Sequence, residues 1–287
     1  MNIDLELYKV FYYVATSLSF SEASKQLYIS QSAVSQSIKT LEKKLEQPLF
    51  IRSTKKVQLT PAGKVLLKHI EPAMNLIQRG ESQLLDSGSL GLGQLHIGAS
   101  DTICRYFLVP YLKQFHKKFP NVPIKVTNAT SVSCVDLLEQ GKVDLVCCGT
   151  GEMVAGADCE SLNIRESRLM FCVNRDHPLA KEKEVTCEMI GREPLVMLTD
   201  QFYQTQRLKK LFEEQNIPLH IIHNTNQAYT VLRFIRDGVA AGFLTTDIIA
   251  EDEKLVGFSV PGDQVYTIAL YWKKDVFQFS AAKKFIE

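Results

Sequence analysis

The stretch Phe20–Phe50, FSEASKQLYISQSAVSQSIKTLEKKLEQPLF, decides how the chain is to be read. Ser19 and Glu22 stand at capping-box spacing, each able to satisfy a backbone N–H at a helix start, and Ala23 and Leu27 then share one face of a short helix. Ser30 is a good N-cap for a second helix, in which Val34, Ile38, Leu41 and Leu45 follow at spacings of four, three and four and draw one apolar stripe. Away from that stripe, its first turns carry Gln31, Ser32, Ser35, Gln36 and Lys39. These are amides and hydroxyls that can pair with base edges, plus a cation for phosphate. A helix start with so little charge points to a helix-turn-helix that reads DNA. An ordinary two-helix hairpin, whose Ser and Gln side chains only cap and solvate, satisfies the same stretch.

Outward from this stretch, Leu7, Val10, Phe11, Val14 and Leu18 fall on one face of a preceding helix over residues 4–18, making a three-helix unit. After Gln47-Pro48, Leu49–Ile51 and Val57–Leu59 read as two short strands around the basic tip Arg52-Ser53-Thr54-Lys55-Lys56. Such a hairpin can lie along phosphates or reach a minor groove, although a solvated turn looks the same. Thr60-Pro61 is an N-cap with proline at the first helical position. The helix it starts runs to about Leu85, with Leu67, Ile70, Met74, Ile77 and Leu84 near heptad spacing, a narrow stripe that wants a partner helix. Pro72 predicts a bend within it. The segment 86–93, DSGSLGLG, reads as a flexible joint and the clearest domain boundary.

A length of 287 residues suggests two or three units, and 45% hydrophobic residues suffices for ordinary cores. Net charge is only +1, yet residues 1–65 hold nine Lys/Arg against five Asp/Glu, so the cationic end coincides with the suspected reader. No basic-flanked apolar leader and no membrane-length apolar run is present, which predicts a cytoplasmic protein. Seven cysteines without CxxC spacing indicate neither a disulfide framework nor a zinc site, and most read as small buried hydrophobes.

From Gln94 the pattern alternates strand and helix: strands at 95–98, 123–127 and 143–148, with helices to about Phe119 and over 132–140. A second set follows with strands at 166–174, 195–198, 220–223 and 239–244 and helices at 203–215 and 226–236. Residues 265–272 are strand-like and 280–286 helical. This is βαβ logic with mostly parallel sheets in two similar lobes.

The residues SFSEASKQLYISQSAVSQSIKTLEKKLEQPLFIRSTKKVQLTPAG follow, nearly position by position, the pattern of the LysR-type transcriptional regulators, which the chain resembles over essentially its whole length. More diffuse matches are Gly98-Ala99-Ser100, Leu137-Leu138 with Gly141 and Asp144, Asp176-His177-Pro178-Leu179-Ala180, and Gly238 before Val239-Ala240-Ala241-Gly242. The resemblance implies a multidomain bacterial regulator. Residues 1–58 would be a winged helix-turn-helix DNA-binding domain and 59–87 a dimerising linker helix. Residues 92–287 would be a two-lobed α/β effector domain of the periplasmic-binding-protein type, with lobe I at 92–161 plus 268–287 and lobe II at 162–267. It implies promoter DNA, a small-molecule effector and RNA polymerase as partners, a homodimer or homotetramer as the assembly, and an interrupted dyad as the DNA site. By position, Gln31, Ser32, Ser35 and Gln36 match family residues that face the major groove and Arg52 the wing arginine at the DNA backbone or minor groove, beside which Lys39 and the tip residues Ser53, Thr54 and Lys55 are the further DNA contacts expected. Two departures stand out: Glu46 occupies the place where the family often has glycine after the recognition helix, so that helix is expected to end without a left-handed cap, and Asp101 adds a carboxylate at the effector turn.

Ligands of two-lobed α/β domains sit at the carboxyl ends of strands, where helix N-termini offer free N–H groups. That rule selects Ser100, Thr102, Thr130, Ser131, Thr150 and Thr199, a set of hydroxyls and backbone donors suited to a small polar or anionic metabolite. Each could equally be only a cap or turn residue. A redox sensor using a cysteine pair is the sharper alternative. Cys147 and Cys148 project to opposite faces of one strand, which leaves Cys159 as the partner to consider. An enzyme or a solute-binding protein competes less well: GxGxxG, GxSxG, HExxH and DxDxDG are all missing, and the six histidines have no ligand spacing, so no catalytic residue, metal or cofactor is expected.

Overall fold

The structure, a computed structural model, describes residues 3–52, 56–85, 93–149, 159–262, 265–274 and 280–287. The chain divides into two compact units, Met1–Gly91 and, apart from the short segment Glu139–Lys142, Leu92–Glu287.

The first unit begins with α1 (Leu5–Ser17), α2 (Phe20–Leu27) and α3 (Gln31–Leu45). Each starts on a side-chain cap: Asp4 accepts from Glu6 N, Ser19 from Glu22 N and Ser30 from Ala33 N. The capping box at α2 is only half made, because the Ser19 N–H donates to Ser17 Oγ (3.3 Å) and Glu22 pairs with Lys25. Val10, Phe11, Val14, Ala23, Val34, Ile38 and Leu41 form the core, which the expected stripes supply. Two expectations fail at the helix ends. Leu18 is not on the buried face; it follows the last turn of α1 in a left-handed conformation (φ 49°) and is 47% exposed. Glu46 does adopt the left-handed cap (φ 55°, ψ 28°) despite not being glycine, as does Tyr28 after α2 (φ 55°). The tight connections from α1 to α2, from α2 to α3 and from α3 to the next strand impose this conformation at a cost of roughly 1–2 kcal/mol each.

β1 (Phe50–Arg52) and β2 (Val57–Leu59) pair antiparallel as a two-stranded wing. Its entry is tied to α3, whose Glu42 carboxylate accepts from Leu49 N (2.8 Å) and Phe50 N (3.2 Å). Then α4 (Pro61–Leu85) runs unbroken through Pro72. Thr60 anchors its start: Oγ1 donates to the Pro48 carbonyl (2.7 Å) and accepts from Gly63 N (3.0 Å). The joint read at 86–93 lies, except for Gly93, outside the described residues.

In the second unit, β3 (Leu95–Ala99) leads to α5 (Asp101–Ile103), a π-helical turn at Cys104–Leu108 and α6 (Val109–Lys118), where the sequence reads as one helix. β4 (Ile124–Asn128), α7 (Ser131–Glu139) and β5 (Leu145–Gly149) follow, then β6 (Cys159–Ser167), β7 (Leu169–Asn174), a 3-10 turn at Pro178–Lys181, α8 (Cys187–Arg192) and β8 (Leu195–Leu198). The chain continues through α9 (Tyr203–Glu214), β9 (Ile221–Thr225), α10 (Ala228–Arg236), β10 (Ala241–Thr245), α11 (Thr246–Ala250) and β11 (Leu255–Ser259), and ends with β12 (Tyr266–Lys273) and α12 (Ser280–Ile286).

Two five-stranded sheets result, ordered β4-β3-β5-β12-β6 and β11-β7-β10-β8-β9. They are mixed rather than mostly parallel: β3 pairs parallel with β4 and β5, and β8 with β9 and β10, but β12 runs antiparallel to β5 and β6, as does β7 to β10 and β11. The antiparallel pairs arise where the chain passes between lobes and returns. The crossing also lies later than the sequence suggested: residues 162–167 stay in the first sheet as part of β6, and Arg168 is the residue between the two sheets. Each sheet has its own core, one around Leu95, Ile97, Leu145 and Ile268, the other around Phe171, Leu195, Phe212 and Phe243.

Candidate functional site

Two surfaces carry chemistry. The first is the polar face of α3. Val34, Ile38 and Leu41 are fully buried, so the helix is fixed in rotation and Gln31, Ser32, Gln36 and Lys39 are left exposed. Ser35 is half-buried and has a contact of its own, and Ser32 Oγ lies 2.9 Å from Ser30 Oγ. Amide, hydroxyl and ammonium groups of this kind can donate to and accept from base edges and phosphates. Tyr28, in the turn before α3, was missed from sequence; it is 96% exposed in its left-handed conformation, and a free phenol there can meet a phosphate. Arg52 ends β1 on the wing, while Ser53, Thr54 and Lys55 lie outside the described residues.

The second is a cavity of about 270 Å³ between the two lobes of the second unit. It gathers the carboxyl ends of β3, β4, β8, β9 and β10 with the helix starts that follow them, as the strand-end rule requires. Ser100, Thr102, Thr130 and Ser131 all line it. Ser100 Oγ accepts from Ile103 N (3.3 Å) and Thr130 Oγ1 from Ser133 N (3.4 Å), so both also cap their helices. Asp101 lines the same wall and accepts from Asn128 Nδ2 (3.2 Å). Thr199 is not among the lining residues; its N–H is bonded to the Thr225 carbonyl (2.9 Å), which ties it to β9, and its Oγ1 is buried with no hydrogen-bond partner among the described residues. Thr150 lies outside the described residues.

Applied to the second lobe, the same rule would have found what was missed. Gln201 and Gln204 follow β8, Asn226 and Gln227 follow β9, and Thr245 ends β10. Thr245 is 7% exposed and its Oγ1 has no hydrogen-bond partner among the described residues, an arrangement that costs roughly 1–3 kcal/mol. Leu169, Phe243, Ile248 and Phe107 supply the apolar floor. Beside the cavity, Arg165 of β6 pairs with the buried carboxylate of Asp247, which also accepts from Ser167 Oγ (3.1 Å). The Arg165 guanidinium lies over the Phe107 ring at 5.4 Å.

None of the seven cysteines is in a disulfide. Cys147 and Cys159 sit opposite Leu270 and Lys273 on the two sides of β12, which puts them about 14 Å apart, twice the reach of a disulfide. Burial, reinforced by Cys104 and Cys134, pushes the Cys147 thiol up to about 12. Burial likewise pushes Cys172 up to about 12, and it raises Cys104. These thiols stay protonated and unreactive at neutral pH. Among the described residues no group of His, Cys, Asp and Glu could hold a metal, and no helix is long and apolar enough to cross a membrane.

Known proteins resemble this chain over most of its length. It is 28% identical over 282 residues, covering 95% of this chain and 83% of the relative, to a probable RuBisCO transcriptional regulator of Trichormus variabilis. It is 27% identical to the uncharacterized HTH-type transcriptional regulator YvbU of Bacillus subtilis, covering 83% and 80% of the two chains. Two solved structures share the fold: full-length OxyR from Pseudomonas aeruginosa (TM-score 0.69, 18% identity, 99% of this chain and 92% of that one) and CbnR complexed with its target DNA (TM-score 0.66, 19% identity, 99% and 98%). Residues 5–64 match the model of the bacterial regulatory helix-turn-helix proteins of the lysR family, residues 89–287 match the LysR substrate binding domain, and the chain therefore belongs to the LysR family of transcriptional regulators.

Proposed function

We propose that the protein is a ligand-responsive regulator that binds an interrupted dyad in promoter DNA as a dimer or tetramer. The observation that carries this reading is α3, a helix pinned by a buried stripe whose opposite face presents Gln31, Ser32, Gln36 and Lys39 to solvent. α3 enters the major groove, the wing reaches the neighbouring backbone, and symmetry sets two readers on two half-sites. The linker helix α4 supports pairing: Val65 and Leu76, on one side of it, are 63% and 36% exposed, with Ile77 beside them at 52%. A small polar metabolite in the interlobe cavity biases the lobes and, through the oligomer, the spacing of the readers, with RNA polymerase as the downstream partner and the cytoplasm as the working compartment. The redox alternative has less support, since the cysteines that could pair are far apart and burial holds the Cys147 thiol protonated.

A thermal-shift screen of small metabolites on the full chain tests the sensor half. A saturating ligand at about 100 times its dissociation constant raises stability by about 2.7 kcal/mol. That gain should vanish in Thr102→Val while affinity for promoter DNA is retained. A ligand whose stabilisation is indifferent to both Thr102→Val and Thr245→Val binds elsewhere and removes the cavity from the account.

A further inference from the structure

The two walls of the cavity are chemically opposite. On the first lobe, the helix starts at Ser100 and Thr130 are already capped by their own hydroxyls, and the charged group is the Asp101 carboxylate. On the second lobe, the N-termini of α9 (12 residues, N-cap Phe202) and α10 (9 residues, N-cap Gln227) both line the cavity, and neither has a side-chain cap. The third N–H of each is bonded to its N-cap carbonyl (Thr205 N to Phe202 O, 3.1 Å; Thr230 N to Gln227 O, 3.0 Å), which leaves the first two N–H groups without intrahelical acceptors at positive dipole ends beside the lining residues Gln204 and Ala228. Thr245 stands on the same wall, more than nine-tenths buried, with an Oγ1 that has no hydrogen-bond partner among the described residues. Among the described residues no Lys, Arg or His lines the cavity.

A simple anion suits the second wall but meets Asp101, and the cation beside the cavity, Arg165, is already paired with Asp247. A simple cation suits Asp101 but leaves the donors of α9, α10 and Thr245 unused. We infer that the ligand is a small zwitterion of the amino-acid type, its carboxylate held by Thr245 and the uncapped starts of α9 and α10, its ammonium group by Asp101. The two ends of one molecule then hold one lobe each, which is how a ligand of this size favours the closed pair of lobes. A cavity of about 270 Å³ is at the small end for organic ligands and fits a single amino acid or a close derivative. The assignment rests on the cavity being the effector site and adds the chemistry of what enters it.

The test is titration of the full chain with the standard L-amino acids, followed for the best of them by its N-acetyl derivative and by the amine lacking the carboxylate. The expected result is that one amino acid raises the melting temperature and both derivatives lose at least about tenfold in affinity, since each gives up a charge-assisted hydrogen bond. Asp101→Asn should weaken the amino acid by about tenfold or more and leave the N-acetyl derivative unchanged or improved. Thr245→Val should weaken the amino acid while leaving the ligand-free protein as stable or more so, because it removes an unpaired buried hydroxyl; a residue with only a structural role would not show that opposition. If no amino acid binds, or if the N-acetyl derivative binds as well as its parent, the zwitterion assignment is wrong. If in that case a 2-oxo acid or sulfate binds in a Thr245-dependent way, the cavity stands as the effector site; if binding ignores Thr102, Asp101 and Thr245 alike, the cavity reading fails as well.

Discussion

Two glycines of the linker helix make opposite predictions for the same substitution. At Gly63 an added Cβ would lie 2.2 Å from the Leu49 carbonyl oxygen and 2.9 Å from Leu59 Cδ2, whereas at Gly80 it would meet nothing within 4 Å. Helix propensity alone favours alanine by about 1 kcal/mol at either place. At Gly63 the helix start has to retreat by about 1 Å to reach ordinary contact. That retreat breaks the bonds from Thr60 N to the Leu49 carbonyl (3.0 Å) and from Thr60 Oγ1 to the Pro48 carbonyl (2.7 Å). Two hydrogen bonds at about 1 kcal/mol each and overpacking of about 1–3 kcal/mol outweigh the propensity gain. The expected result is that Gly63→Ala lowers the stability of the first unit by about 2–4 kcal/mol and Gly80→Ala raises it by up to about 1 kcal/mol. Urea titration followed by far-UV circular dichroism reads the helices, and Trp272, the single tryptophan, in β12, reports the second unit by fluorescence as an internal control. A Gly63→Ala protein as stable as Gly80→Ala would refute the close packing of α4 on the wing.

Other predictions separate the remaining parts. Gln31→Ala and Ser35→Ala should relax base preference, whereas Arg52→Ala should weaken binding to all sequences and reduce the salt slope by about one; filter binding of matched and mismatched duplexes at several salt concentrations distinguishes them. The raised folded pKa of Cys147 means its contribution is complete below the ordinary thiol range and is lost as pH climbs towards about 12. Stability of the second unit should accordingly fall above about pH 8.5, by up to about 1.4 kcal/mol per pH unit for each such thiol, and Cys147→Ala should flatten that slope in Trp272 melting curves. Arg165→Met leaves the Asp247 carboxylate, 6% exposed, with hydroxyl partners but no cation, while Arg165 itself is 56% exposed. A loss of about 1–2 kcal/mol in the second unit is expected by calorimetry, and an unchanged midpoint would show the pair to be ornamental.

The DNA-reading unit was legible because its signals are local. Caps at Ser19, Ser30 and Thr60 and the Val34-Ile38-Leu41 stripe lie within a few residues of what they organise. The left-handed residues Leu18, Tyr28 and Glu46 were not legible, since propensity argues against each and only the short connections among the three helices and from α3 to the wing enforce them. β6 escaped for another reason: most of its side chains are exposed, so it lacks a strand's alternation, and its partner β12 is about a hundred residues away. For the cavity, the strand-end rule found Ser100, Thr102, Thr130 and Ser131 but was not carried to β9 and β10, which supply Asn226 and Thr245. Thr199 was chosen by the same rule and misplaced, because a residue one step beyond a strand end can still be bonded into the neighbouring strand.

The central claim is that α3 reads sequence on behalf of a paired molecule. Selection of bound duplexes from random DNA by the full-length protein, repeated with Gln31→Ala, tests it most directly. The account predicts enrichment of an interrupted dyad whose half-sites change identity, but keep their spacing, in the variant. Failure to enrich any sequence over bulk DNA, or an enriched site unaffected by changes on the polar face of α3, would contradict it.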